Sequence, residues 1–250
     1  MLLVNVDADI YDIYGSVVTE GEKSAAQQRR AATLPTTTTT SAVVLYEPVS
    51  LVKQFHEKTQ NLKFAGRDIV LSQDWNNYGV AAVVWEAAIV LSEYLQNLQE
   101  LVRNKNVIEL GAGTGLVGIV AALLGGKVTI TDRELVLPSL RHNVDSNLEQ
   151  TEYLQNVSVR GLDWGKDLEQ FAKYDVVLGA DIVYIEDSFD ALLATINRLT
   201  SDDSVVLLAC KIRYDRDVRF LNMLRVDYIV HEVLHDPAKN IKIFEAVRKQ

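Results

Sequence analysis

The chain has 250 residues, 48% hydrophobic and 24% charged, with 25 Lys and Arg against 34 Asp and Glu, a net charge of −9. That composition excludes a wholly disordered polymer, and a single cysteine, Cys210, excludes an internally disulfide-stapled scaffold. An acidic chain lacks the broad basic field that tracks a phosphate backbone, and its longest apolar run, 80–91, is broken by Glu86 short of the roughly 18 residues of a membrane span. Neither a nucleic-acid partner nor a membrane is therefore expected. The first residues carry Asp7, Asp9 and Asp12 and no basic cluster, so they read neither as a secretory signal nor as a transit peptide, and a reducing, cytoplasmic setting is expected.

Residues 15–42 are rich in Ser, Thr, Gln and Ala, hold no aromatic residue and include a run of five threonines. Such a segment buries too little apolar surface to offset its ordering entropy. We therefore expect a flexible low-complexity tail over 1–43 and a folded domain over 44–250. Beyond Val43 there are 22 basic and 29 acidic residues, so −7 of the charge belongs to the domain.

Within the domain, 62–73 reads as a hairpin around Ala65-Gly66. The apolar-periodic stretch 80–98 reads as a long helix. A short apolar strand over 106–110 leads into a helix over 115–126, which the pair Gly125-Gly126 stops. A strand over 127–132 and a helix over 134–148 follow, with Pro138 in its early turns. A strand and the turn after it are then expected over 157–164, a strand over 174–181, a helix over 188–199, a strand over 204–212 and a helix over 217–224. Two last strands, 227–234 and 241–249, have only a short loop between them. Alternating strands and helices give a mainly parallel sheet covered on both faces, whereas the final pair must run antiparallel.

Residues 107–118 read Val-Ile-Glu-Leu-Gly-Ala-Gly-Thr-Gly-Leu-Val-Gly, so Gly111, Gly113 and Gly115 fall where a buried strand turns into a helix. Glycine there permits positive φ and close approach of a ligand to backbone N–H groups at the helix start. Asp132, about twenty residues on, ends the next strand, suited to accept from two ribose hydroxyls. Gly113-x-Gly115-x-x-Gly118 also satisfies a dinucleotide fingerprint, but in that register the strand would run through Gly111 and Ala112, beyond the apolar run that ends at Leu110. Counted from the strand end, the pattern is Glu109-x-Gly111-x-Gly113-x-Gly115. A carboxylate at Glu109 suits a cofactor bearing an ammonium and a sulfonium, which favours S-adenosylmethionine over a pyrophosphate-bearing cofactor.

His231-Glu232-Val233-Leu234-His235 matches the H-E-x-x-H zinc pattern. That chemistry requires a helix. The β-branched surroundings, ended by Asp236-Pro237, favour a strand, in which the two imidazoles stand about 13 Å apart. No metal site is expected.

Four stretches resemble a known family: 79–95 (GVAAVVWEAAIVLSEYL), 107–134 (VIELGAGTGLVGIVAALLGGKVTITDRE), 178–189 (LGADIVYIEDSF) and 207–217 (LLACKIRYDRD). They are similar to the methyltransferase-like 21 group of seven-strand protein-lysine methyltransferases, within it to the branch that methylates Hsp70 chaperones. The resemblance runs from about Tyr46 to the end. It implies a Rossmann-like seven-strand class I methyltransferase sheet, S-adenosyl-L-methionine as cofactor and a protein substrate of the Hsp70 type. Asp181-Ile182-Val183-Tyr184 resembles the family's D-x-x-Y motif, which implies Asp181 and Tyr184 at the catalytic mouth; no proline-containing N-P-P-Y-like sequence of base or amide methylases is present there. The resemblance also carries Trp85 to the cofactor pocket. It carries Gly111, Ala112 and Gly113 to the loop beneath the methionine and ribose, Asp132 to the ribose hydroxyls, Trp164 to the adenine and Ala180 to the wall after the fourth strand. Taken alone, Trp85 reads as core, Trp164 as a turn cap, Asp181 as a helix cap and Tyr184 as packing. A different protein acceptor (a translation factor or another ATPase) and a nicotinamide-dependent oxidoreductase remain the alternatives, and the oligomeric state is open.

Overall fold

In the computed structural model, residues 57–250 are described. The tail expected over 1–43, and the domain's expected start, lie outside them. An antiparallel hairpin comes first, β1 (Thr59–Phe64) and β2 (Arg67–Ser72), turning at Ala65-Gly66 as its sequence predicts. A short helix α1 (Trp75–Tyr78) and a 3-10 turn (Gly79–Ala82) precede α2 (Glu86–Asn97). The expected helix over 80–98 therefore loses its first six positions. The Val84 N–H donates instead to Gln73 Oε1 at 2.8 Å, and the Val80 carbonyl, which a helix would offer to that N–H, accepts from the Trp85 indole at 2.8 Å.

Then follow β3 (Asn106–Leu110), α3 (Leu116–Leu123), β4 (Lys127–Asp132), α4 (Leu137–Leu148), β5 (Val157–Gly161), β6 (Tyr174–Ala180), α5 (Phe189–Leu199), β7 (Thr200–Cys210), α6 (Asp215–Asp227), β8 (Tyr228–Asp236) and β9 (Ile241–Arg248). Pro138 sits in the first turn of α4, where its missing N–H costs nothing. The seven strands from β3 onward form one sheet in the order β5-β4-β3-β6-β7-β9-β8. Pairings among β3 to β7 are parallel, and β9 lies antiparallel to both β7 and β8. This is the mostly parallel sheet with an antiparallel end that the alternation predicts.

Alternation along the strands feeds two apolar layers. Val107, Val176, Leu178, Leu207 and Ala209 pack against α2, α3 and α4, while Ile108, Leu110, Val177, Val206 and Leu208 pack against α5 and α6. All eight residues of α3 are buried, as expected of a helix that is apolar all round. The hairpin is fastened by two asparagines one turn apart on α4. Asn147 exchanges hydrogen bonds with the Val70 N–H and C=O (both 2.9 Å), and Asn143 with those of Ser72 (2.8 and 3.1 Å), so two side-chain amides stand in for a neighbouring strand.

The H-E-x-x-H stretch lies in β8, where His231 faces Glu245 and His235 faces Lys242 across the ladder. The strand reading of that stretch holds. Among the described residues, no single helix is long and apolar enough to cross a membrane.

Candidate active site

Chain order runs outward from β3 through β4 to β5, then returns to β6 on the other side of β3. Loops leaving β3 and β6 diverge there, opening a crevice at the carboxyl ends of the strands. The glycine loop after β3, Asp132 at the end of β4, and Ala180 and Asp181 at the end of β6 all lie at that edge.

β3 ends at Leu110, so the register starting at Glu109 is the one the strand adopts. Gly111 has φ +59° and Gly113 φ +55°, both in the left-handed region. A Cβ on Gly111 would meet Ile182 at 2.9 Å and the Trp164 ring at 3.3 Å; one on Gly113 would meet the Ala81 carbonyl at 2.9 Å. Two distant segments thus close on the glycines: the turn after β5, carrying Trp164, and the 3-10 turn held by the Trp85 indole. Trp85 itself has extended backbone (φ −89°, ψ 148°) and precedes α2, which corrects its expected position inside a helix.

The loop is tied to the end of β4. Ala112 N–H donates to Thr131 O (2.9 Å), Gly113 N–H to Asp132 Oδ2 (2.8 Å), and Arg133 N–H to Asp132 Oδ1 (2.7 Å). Each carboxylate oxygen of Asp132 retains a lone pair, and two such acceptors are what the O–H donors of a vicinal diol require. Burial holds the Asp132 pKa above the ordinary carboxylate value, against the opposing effect of the two N–H donors.

Glu109 shares strand parity with Val107 and points into the layer beneath α3. It is 2% exposed and accepts from the Gly118 N–H at 2.8 Å. Its pKa is pushed up to about 8, chiefly by burial and further by Asp132, with the Gly118 N–H opposing. The carboxyl therefore lies between α3 and the sheet, beneath the glycine loop. Gly118 lies so close to the sheet that a Cβ would meet Glu109 Oε2 and Ile130 at 2.6 Å, so this fourth glycine serves helix-on-strand packing.

Asp181 has φ +53°, unusual for a residue with a Cβ, and its N–H donates to Ala209 O on β7 at 2.8 Å. Arg213, in the loop after β7, reaches both its oxygens, Nη1 to Oδ1 at 3.3 Å and Nη2 to Oδ2 at 3.4 Å. Tyr184 is half-buried three residues on. Sequence reasoning gives Arg213 no role, because no local periodicity marks a partner 32 residues from Asp181. It also missed Ile182 over Gly111, and the α4 residue Asn143, which bonds Thr114 O in the glycine loop at 3.1 Å. A separate open cavity of about 630 Å³ lies between the end of β2, α1 and α4, and none of the expected site residues lines it.

The glycine backbone, the Asp132 acceptors and the nearby Trp164 ring fit S-adenosylmethionine, whose chemistry when bound is an electrophilic methyl on a sulfonium. Residues 63–227 match the lysine methyltransferase family. A protein N-lysine methyltransferase METTL21A of Xenopus tropicalis is 49% identical over 202 residues, covering 81% of this chain and 94% of the relative. The EEF1A lysine methyltransferase 3 of Mus musculus is 36% identical over 206 residues, covering 81% of this chain and 88% of the relative. Among solved structures, the T. thermophilus 16S rRNA N2 G1207 methyltransferase in complex with AdoMet and guanosine superimposes with a TM-score of 0.59 at 16% identity, covering 76% of this chain and 50% of that one, a likeness of fold alone. The chain belongs to the lysine methyltransferase family and is an S-adenosylmethionine-dependent protein-lysine N-methyltransferase.

Proposed function

We propose that the acceptor is a lysine of an Hsp70-family chaperone in the cytoplasm. The observation that carries this reading is the difference between 49% identity to a METTL21A protein and 36% to an EEF1A lysine methyltransferase over nearly the same span, in line with the branch that the motifs resemble. The second of those relatives favours the alternative, a translation factor as acceptor.

A free lysine, with a pKa near 10.4, is almost wholly protonated at neutral pH. The site must let that proton escape and then hold the amine in line with the methyl group, reacting atoms about 3–3.5 Å apart. In this reading Asp181 orients the acceptor nitrogen or receives its proton through water, and Tyr184 positions it. Trp85, Glu109, Gly111, Ala112, Gly113, Asp132, Trp164 and Ala180 hold the cofactor. The acidic balance of the chain suits an approaching lysine-bearing surface.

Incubation with methyl-labelled S-adenosylmethionine and, separately, a purified Hsp70-family chaperone and a purified elongation factor 1A tests the proposal. Label on a lysine of the chaperone, located by mass spectrometry and lost in the Asp181→Asn variant, is expected. Label on the elongation factor alone would overturn the choice of acceptor.

A further inference from the structure

The loop between β7 and α6 carries Arg213 to the end of β6. Arg213 approaches Asp181 with both terminal nitrogens, and the two side chains are 13% and 9% exposed. Two-pronged contact fixes the plane of a carboxylate as well as its place. Both partners are held from behind. Asp181 is pinned through its N–H to β7 in a backbone conformation that residues with a Cβ seldom adopt. Asp217, 3% exposed, accepts from the Arg213 N–H at 2.7 Å and the Tyr214 N–H at 3.0 Å, which fixes the loop from which the guanidinium extends.

We propose that Arg213 is a positioning residue for methyl transfer: it fixes the Asp181 carboxylate and offsets its charge, so that the acceptor lysine is oriented there without being held as an ammonium. The inference rests on the reading that Asp181 faces the acceptor. An unpaired carboxylate beside a lysine favours the charged form and raises its pKa, whereas a guanidinium at the same place opposes that effect. A carboxylate offers about four lone-pair positions; Arg213 occupies two and leaves the others to orient the acceptor. The ammonium releases one proton to water. The freed nitrogen lone pair then forms the N–C bond as the C–S bond breaks, its electrons staying on sulfur and the positive charge passing to the methylated nitrogen. Other charged or titratable groups around the pair are Asp217 and Arg216 on α6, Cys210 on β7, Lys242 on β9, and Tyr184 and Tyr214.

Arg213→Met, Arg213→Lys, Asp181→Asn and the double variant Asp181→Asn/Arg213→Met are compared by kcat and KM for the labelled protein acceptor between pH 6.5 and 9.5. S-adenosylhomocysteine affinity and thermal midpoint are measured alongside. We expect Arg213→Met to lower kcat at least tenfold at neutral pH, with cofactor affinity held and the deficit shrinking as pH rises. Arg213→Lys should recover most of the rate, and the double variant should be no slower than Asp181→Asn alone. A deficit equal at every pH, a defect confined to KM, or no recovery by lysine would overturn the proposal. An unchanged rate in Asp181→Asn would instead refute the reading of Asp181; a slow Asp181→Asn beside a normal Arg213→Met would refute the role of Arg213 alone. If Arg213→Met does not fold, Arg213→Gln, an uncharged side chain that keeps an amide donor, is judged by the same outcomes.

Discussion

Replacing Glu109 by glutamine tests the buried carboxyl beneath the glycine loop. The folded-state pKa of about 8 stands above the reference 4.5, so the folded protein retains a proton there that the unfolded chain releases. Below pH 4.5 both states are protonated and the stabilising contribution is complete; it is lost progressively as pH rises through the window from 4.5 to 8. At pH 7 roughly two and a half units of that window have been crossed, and at 1.36 kcal/mol per unit the loss is about 3 kcal/mol. Glutamine has nearly the same shape, its carbonyl oxygen can accept from the Gly118 N–H, and it does not titrate. The variant should therefore gain on the wild type by about 3 kcal/mol between pH 4.5 and pH 7, or about 6–12 °C in melting temperature for a domain of this size. Asp132 carries a shift in the same direction, but it is present in both proteins and cancels to first order. Urea or thermal denaturation at pH 5, 6, 7 and 8 without cofactor measures the difference. A gap between variant and wild type that stays constant across that range would refute the buried-proton argument.

Two further predictions concern single side chains. Asp132→Asn replaces two acceptor oxygens by one, leaving either the Gly113 or the Arg133 N–H facing an amide donor; loss of a charge-assisted bond worth about 1.5–3 kcal/mol should weaken S-adenosylhomocysteine binding about 10–100-fold by calorimetry, and an unchanged affinity would remove Asp132 from the site. Cys210 is 1% exposed, and burial, with Asp181 and Asp217 adding to it, drives its thiol pKa upward. A disulfide reagent should find no thiol in the native protein at pH 8 and one after denaturation, and rapid stoichiometric labelling of the folded form would contradict that burial.

Much of this architecture was legible in one dimension because its signals are local. The hairpin turn at Ala65-Gly66, the strand stopping at Leu110, the stop at Gly125-Gly126 and the β-branched run through His231 and His235 each depend on a few neighbouring residues, and each matches the structure. Strand parity would also have forecast the burial of Glu109, which lies two residues from Val107 and so must share its layer. The failure at Trp85 is as instructive. The run over 80–98 is apolar enough for a helix, but Gln73 takes the Val84 N–H and the Trp85 indole takes the Val80 carbonyl, competing bonds that apolar periodicity does not register.

By itself, the amino-acid order determined the kinds of element, the register of the glycine turn and the residue types offered at the ends of β3, β4 and β6. Only the tertiary structure decided which of them meet. The order of strands in the sheet sets Asp132 beneath Gly113, brings Trp164 and Ile182 over Gly111, and carries Arg213 from beyond β7 to the carboxylate of Asp181. Propensity and periodicity act over a few residues, whereas an ion pair 32 positions apart depends on how two parallel strands align their carboxyl ends, which no local pattern encodes.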